Sequence, residues 1–197
     1  TSDGGYIAGG YFYSNSVDLG NGINLTNKGE TNVMLIKYNS YGKAEWAQGI
    51  GGTSADYIHS MIKTTDGGYL LGGSINSDII NFGDGVILSK SRGTKAMLLK
   101  YDSEGRVEWG KIIDISVFDD LNSVVEINDG SYLVGGCFYN NLDFENDVSL
   151  INKGSADGMI LKVLNQTGIP EVQELEVTNS RKEFKITTDV KENDNVK

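Results

Sequence analysis

Two tryptophans, each preceded by a glutamate, stand at matching places in the chain, as Glu45-Trp46 and Glu108-Trp109. A flat indole face suits the C–H surface of a pyranose, so the first chemistry these residues suggest is sugar stacking. Asp56 and Asp119 form a second matched pair. Equivalent carboxylates from successive repeats of a ring can converge on one face and hold a cation or a sugar. Trp46, Trp109, Asp56 and Asp119 are therefore the candidate ligand-binding residues. Each has a plainer reading beside it. Aromatic residues that recur with a repeat usually anchor the repeated core, and strand alternation puts each Glu on the face opposite its Trp, toward solvent.

Catalytic chemistry finds less to work with. His59 is the only histidine, which removes a repeated Ser-His-Asp arrangement and any multi-histidine metal site. Cys137 is the only cysteine; it has no evident base, cannot form an intramolecular disulfide, and reads as a small buried residue. Calcium takes about six to eight oxygen ligands, and no dense Asp-x-Asp loop supplies them. Glycoside hydrolysis needs two carboxylates roughly 5 to 9.5 Å apart in unlike environments, a poor match to repeat-equivalent pairs. The glycine-rich strings lack the Gly-Lys-Ser/Thr of a phosphate loop. No catalytic residue, cofactor or metal is expected.

The elements that must position these residues follow from a repeat. Asp3-Gly4-Gly5-Tyr6, Asp66-Gly67-Gly68-Tyr69 and Asp129-Gly130-Ser131-Tyr132 are one motif at a spacing of 63 residues, each leading into a Gly-Gly pair at 9–10, 72–73 and 135–136. Met34-Leu35-Ile36-Lys37-Tyr38, Met97-Leu98-Leu99-Lys100-Tyr101 and Met159-Ile160-Leu161-Lys162-Val163 recur in step. Short apolar runs bounded by Gly, Asp, Asn and Ser predict strands and not helices. The most regular copy predicts four: 57–63, 69–74, 96–101 and 106–113. The Asp-Gly turns suggest tight two-residue hairpins, with the aspartate accepting backbone hydrogen bonds. The Gly-Gly pairs suggest a bulge or close backbone approach. A longer insert separates the two hairpins and carries its own signature at 82–88, matched at 19–25 and 144–150. A four-stranded unit cannot cover both its faces alone, so neighbouring copies must do so. The fold class expected is all-β, with β-propeller blades of four antiparallel strands in a partial or open propeller and a short β-rich segment after it.

The succession Gly-Gly-Thr-Ser-Ala-Asp-Tyr at 51–57, Asp-Gly-Gly-Tyr at 66–69, Phe-Gly at 82–83, Lys-Tyr-Asp at 100–102, Glu-Gly-Arg at 104–106 and Glu-Trp at 108–109 resembles the bacterial secreted β-propeller repeat family. The resemblance covers residues 1–168. It implies secretion or surface display on a bacterium, usually within long multidomain proteins, and supplies no catalytic residues. The third copy departs from the pattern by lacking the tryptophan.

Residues 1–168 thus read as three repeat copies, the first and last incomplete, and 169–197 as a linker and the start of a further β module or stalk, whose first residues could instead supply a closing strand. A closed ring needs at least about four blades, so further blades, or a homo-oligomer, would complete it. A net charge of −10 and no basic patch argue against nucleic acid, and no apolar run is long enough for membrane insertion as a helix. The function expected is a non-enzymatic secreted or cell-surface module that binds a protein or glycan or acts as a spacer. The alternative is a carbohydrate-active enzyme or its accessory carbohydrate-binding domain.

Overall fold

The computed structural model of the protein describes residues 1–90, 92–113, 119–143, 149–164 and 172–174; the side chains of Asp119, Leu142, Asp143 and 172–174 lie outside the described set. The described residues form only strands, turns and loops. The chain starts with β1 (Tyr6–Phe12), passes through a small hairpin of β2 (Ser16–Asp18) and β3 (Asn24–Thr26), and continues into β4 (Asn32–Tyr38) and β5 (Ala44–Ile50). Strands β1, β4 and β5 make a three-stranded antiparallel sheet in that order.

The second repeat gives β6 (Asp56–Lys63), β7 (Tyr69–Ile75), a small hairpin of β8 (Ile79–Asn81) and β9 (Ile87–Ser89), then β10 (Lys95–Tyr101) and β11 (Val107–Ile113). Its sheet runs β11-β10-β7-β6. The four strands expected in this copy are present within one residue of their expected ends, and the insert contributes the extra hairpin. The third repeat gives β12 (Asp119–Glu126), β13 (Tyr132–Phe138), the short pair β14 (Leu142–Asp143) and β15 (Ser149–Leu150), β16 (Asp157–Val163) and β17 (Val172–Glu174). Here β17 pairs with β16 as a fourth strand. The insert signature at 144–148, the boundary at 167–170 and residues 175–197 fall outside the described residues.

The hairpin turns differ from the two-residue form expected. Thr64 N–H donates to Gly68 O and Gly67 N–H to Thr64 O, and only Gly67, at φ 90°, is left-handed. This is a three-residue loop, a type I turn closed by a left-handed glycine. Gly42, Gly105 and Gly130 close their turns in the same way.

Burial explains why the units need one another. Every residue of β7 and of β10 is buried. Side chains alternate across a strand, so Leu70 and Leu98 face the third sheet and pack with Leu121, Val124, Val134 and Leu161. Leu71, Leu99 and Met97 face the first sheet and pack with Val33, Leu35, Ile50 and Ile58. Each such side chain contributes about 1.5–3 kcal/mol by leaving water. The middle sheet therefore carries a core on each face, as the repeat predicts.

The Gly-Gly pairs also act as expected. Register slips between Ile58 and Ser60 opposite Gly73 and Gly72, and between Leu121 and Ser123 opposite Gly136 and Gly135. A Cβ on Gly73 would lie 2.0 Å from Tyr57 O, and one on Gly136 would lie 1.9 Å from Asp120 O. Gly73 and Gly136, the second glycines of the second and third pairs, thus make room for a bulge in the first strand of their units.

Candidate functional site

Of the four residues singled out by spacing, the three whose side chains are described, Trp46, Trp109 and Asp56, occupy separate places in the sheets. Asp56 is fully buried. Its Oδ2 accepts hydrogen bonds from Gly52 N–H (2.9 Å) and Ser77 Oγ–H (2.7 Å), and its Oδ1 from the backbone N–H groups of Asn76 (3.0 Å) and Ser77 (3.1 Å). Four donors fill the carboxylate's acceptor positions, so Asp56 fastens the crossover at 52–55 to the end of β7. The side chain of Asp119 lies outside the described residues.

Trp46 is half-buried, and its ring lies over the turn glycine of the next unit, where a Cβ on Gly105 would come within 2.7 Å of Cη2. Gln48 Nε2–H donates to Gly105 O at 3.3 Å beside it. Trp109 also reaches the next unit, packing its ring 6.2 Å from that of buried Tyr132. Both indoles bridge adjacent sheets.

A buried ion network, unread in the sequence, occupies the turn end of the sheets. Lys100 is almost wholly enclosed, and its Nζ contacts Asp66 at 2.9 Å and Glu108 at 2.8 Å and donates to Tyr101 O at 3.2 Å. Lys37 repeats the pattern with Asp3 (2.7 Å), Glu45 (2.8 Å) and Tyr38 O (3.2 Å). The glutamates stay exposed, as alternation predicts, while their tips reach the lysine. A Cβ on Gly5 or Gly68 would approach the ammonium within 2.6 or 2.4 Å, which explains the second glycine of Asp-Gly-Gly. In the third unit Ser131 stands there, and Lys162 contacts Asp129 at 2.6 Å. The electrostatics follow. Burial pushes the Asp66 carboxyl up, but hydrogen bonds from Thr64, Lys100 and Gly68 outweigh it and bring it down to about 2. Lys37 holds Asp3, and Lys162 holds Asp129, well below the ordinary carboxylate range. Asp3 and Glu45 in turn raise Lys37. A lysine recurring at the end of an apolar strand was the available signal.

The opposite end of the sheets has a different character. Tyr11 packs edge-on against Tyr13 (centroids 5.7 Å apart) and Tyr57 (5.1 Å), and Tyr57 stacks with His59 at 6.2 Å and 17°. The imidazole Nε2 lies 3.2 Å from Ser74 Oγ and 3.9 Å from Asp120 Oδ1 of the third sheet. Partial desolvation and the neighbouring Tyr11 and Tyr57 phenols raise the Tyr13 phenol. Cys137 raises that of Tyr139, with burial and Asp120 adding to the effect. One chain of contacts thus crosses all three sheets.

Its members occupy equivalent positions that differ between units: Tyr11, Ser74 and Cys137; Tyr13, Asn76 and Tyr139; Tyr57 and Asp120; His59 and Asn122. His59 and Asn122 are the bulge residues themselves. Tyr13 is 65% exposed, with Tyr11 and Tyr139 both above 40%. This is the candidate site: aromatic faces, hydroxyls, an imidazole and a carboxylate open to solvent. Among the described residues, no group of three or more His, Cys, Asp or Glu is placed to hold a metal. No protein-family model matches the chain, and no curated protein matches it.

Proposed function

We propose that this chain is an arc of a secreted or surface-displayed bacterial β-propeller, a non-enzymatic module that binds a protein or glycan ligand at the aromatic end of its sheets. The observation that carries this reading is the division of labour between recurring and differing positions. The residues that recur are engaged in structure, Trp46 and Trp109 in packing between adjacent units and Asp3, Asp66, Lys37 and Lys100 in ion pairs within a unit. The residues that differ gather in one exposed cluster. A position released from a repeated structural duty is where a repeat protein can specialise.

The fold half of the proposal rests on three successive antiparallel sheets stacked face to face, with the first strands β6 and β12 in contact through the 3.2 Å bond from Val124 N–H to Ser60 Oγ. Face-to-face stacking of successive sheets supports the propeller reading, in which neighbouring blades cover one another in this way. The non-enzymatic half is supported by the carboxylates. Asp56 is saturated, and Glu45 and Glu108 are tied to lysines, so none of these three recurring carboxylates stands ready for acid–base work.

Two measurements test the proposal. Light scattering at high concentration should show self-association that completes a ring; a strict monomer would sink that part. Binding screens against glycans and surface proteins, run beside hydrolysis assays, should return binding without turnover, and turnover of any glycan would move the chain to the enzyme class.

A further inference from the structure

The cluster that joins the three sheets has a chemistry specific enough to name its ligand class. Its surface is made of phenol rings from Tyr11, Tyr13, Tyr57 and Tyr139, the His59 imidazole and the Asp120 carboxylate, with the buried Ser74 hydroxyl behind the imidazole. Among the described residues, the side chains joined in this chain of contacts are aromatic or polar. A protein-binding patch concentrates its affinity in an apolar, fully desolvated centre, which this surface lacks. Rigid aromatic faces flanked by hydrogen-bonding groups suit a ring with C–H bonds on its faces and hydroxyls at its rim.

The sign of the charge narrows the choice. The formal charge bracketed by these aromatics is Asp120, its carboxylate 3.9 Å from Nε2 of His59. The Tyr11 and Tyr57 phenols act on Tyr13, and the Cys137 thiol and Asp120 act on Tyr139. The whole chain carries a net charge of −10. A carboxylated or sulfated sugar would meet like charge here, whereas an uncharged one offers hydroxyl donors to Asp120 and acceptors to the phenols and imidazole.

We infer that the face formed by Tyr11, Tyr13, Tyr57, His59 and Asp120 is a binding site for uncharged pyranosides. The inference deepens the binding-module reading and rests on it. One sugar ring lies on the exposed Tyr13 and Tyr11 faces, and its rim hydroxyls reach Asp120 and His59. The site exists only where the units meet, because Tyr11 and Tyr13 come from the first repeat, Tyr57 and His59 from the second and Asp120 from the third. The bulge that places His59 beside Tyr57 is the device that aims the imidazole at the cluster.

The test uses the whole chain and three sets of probes: an array of neutral oligosaccharides built from glucose, galactose, mannose and N-acetylglucosamine; polygalacturonate as the anionic arm; and nuclear magnetic resonance titration with whichever neutral glycoside binds. At least one neutral glycan is expected to bind and to shift the ring resonances of Tyr11, Tyr57 and His59, while polygalacturonate gives no shift. Tyr13→Ala and Asp120→Asn are each expected to weaken binding about tenfold with the thermal midpoint held, since Tyr13 lies outside the strands and both side chains reach solvent. Blank neutral arms, or neutral binding that survives the Tyr13→Ala and Asp120→Asn double variant, overturn the inference. If the glycan arms are blank but a purified surface protein protects Tyr13 and Tyr139 from iodination, the ligand class fails and the binding-module reading survives. If no probe perturbs the cluster, both fail.

Discussion

Asp56 separates a ligand residue from a structural one. Its carboxylate is enclosed and accepts from three backbone N–H groups and one hydroxyl. Asp56→Ala would strand those donors without water, at a cost of about 3 kcal/mol or more. Asp56→Asn is expected to be damaging as well, because the new amide would point an N–H at a backbone N–H, that of Gly52, which cannot accept it. Urea unfolding checks both; a loss below about 1 kcal/mol for Asp56→Asn would show that the network is not what holds the crossover. The sequence made Asp56 conspicuous through its match to Asp119, yet spacing alone could not tell a carboxylate facing solvent from one facing four donors. The tyrosine cluster was missed for the converse reason. A reading keyed to recurrence passes over Tyr11, Ser74 and Cys137, because their only shared property is an equivalent position.

At the scale of the element, strands and their pairing were legible because Gly, Asp and Asn mark every boundary and apolar runs fill the intervals. The turn type was not, since Asp-Gly serves both the two-residue hairpin and the three-residue loop that forms. Nor was the lysine network, in which strand alternation describes the direction of Glu108 correctly and says nothing of Lys100 crossing to meet it. This network ties hairpin stability to pH. Asp66 titrates at about 2 in the folded chain against an ordinary 3.8, so its contribution is present above about 3.8 and disappears as pH falls through about 2. Asp3 and Asp129 are lowered in the same direction. Lys37 is raised, so its contribution holds below its ordinary 10.5 and is lost as pH climbs through the higher folded value. Thermal unfolding is expected to weaken steadily from pH 4 to pH 2, and Asp3→Asn, Asp66→Asn and Asp129→Asn combined should flatten that slope. An unchanged slope would place the acid sensitivity elsewhere. The bulges make a separate prediction. Gly73→Ala would set a methyl 2.0 Å from Tyr57 O, so the strand must shift, at a cost of about 3 kcal/mol. Gly67→Ala meets no neighbour but strains φ 90°, and should cost about 1 kcal/mol.

For the whole molecule, the question is whether the stacked sheets behave as separate pieces or as one. Repeat proteins can unfold unit by unit when the interfaces are weaker than the units. Here the balance lies the other way, because β7 and β10 are buried on both faces and supply side chains to both cores. Leu70 belongs to one core and Leu71, its immediate neighbour on the same strand, to the other. Neither core can be lost without exposing a face of the strands that support its partner. The two tryptophans are natural reporters, since Trp46 packs on the core between the first and second sheets and Trp109 on the core between the second and third. Single-tryptophan variants, Trp109→Phe to isolate Trp46 and Trp46→Phe to isolate Trp109, should each show one fluorescence transition in urea. Introducing Leu70→Ala or Leu71→Ala into either background should cost about 2–5 kcal/mol. A substitution in one core should move the transition reported by the tryptophan of the other by an equal amount. Two midpoints that respond separately would mean that the cores fold independently. The composite site, drawn from all three repeats, would then lose its geometry well before the chain as a whole unfolds.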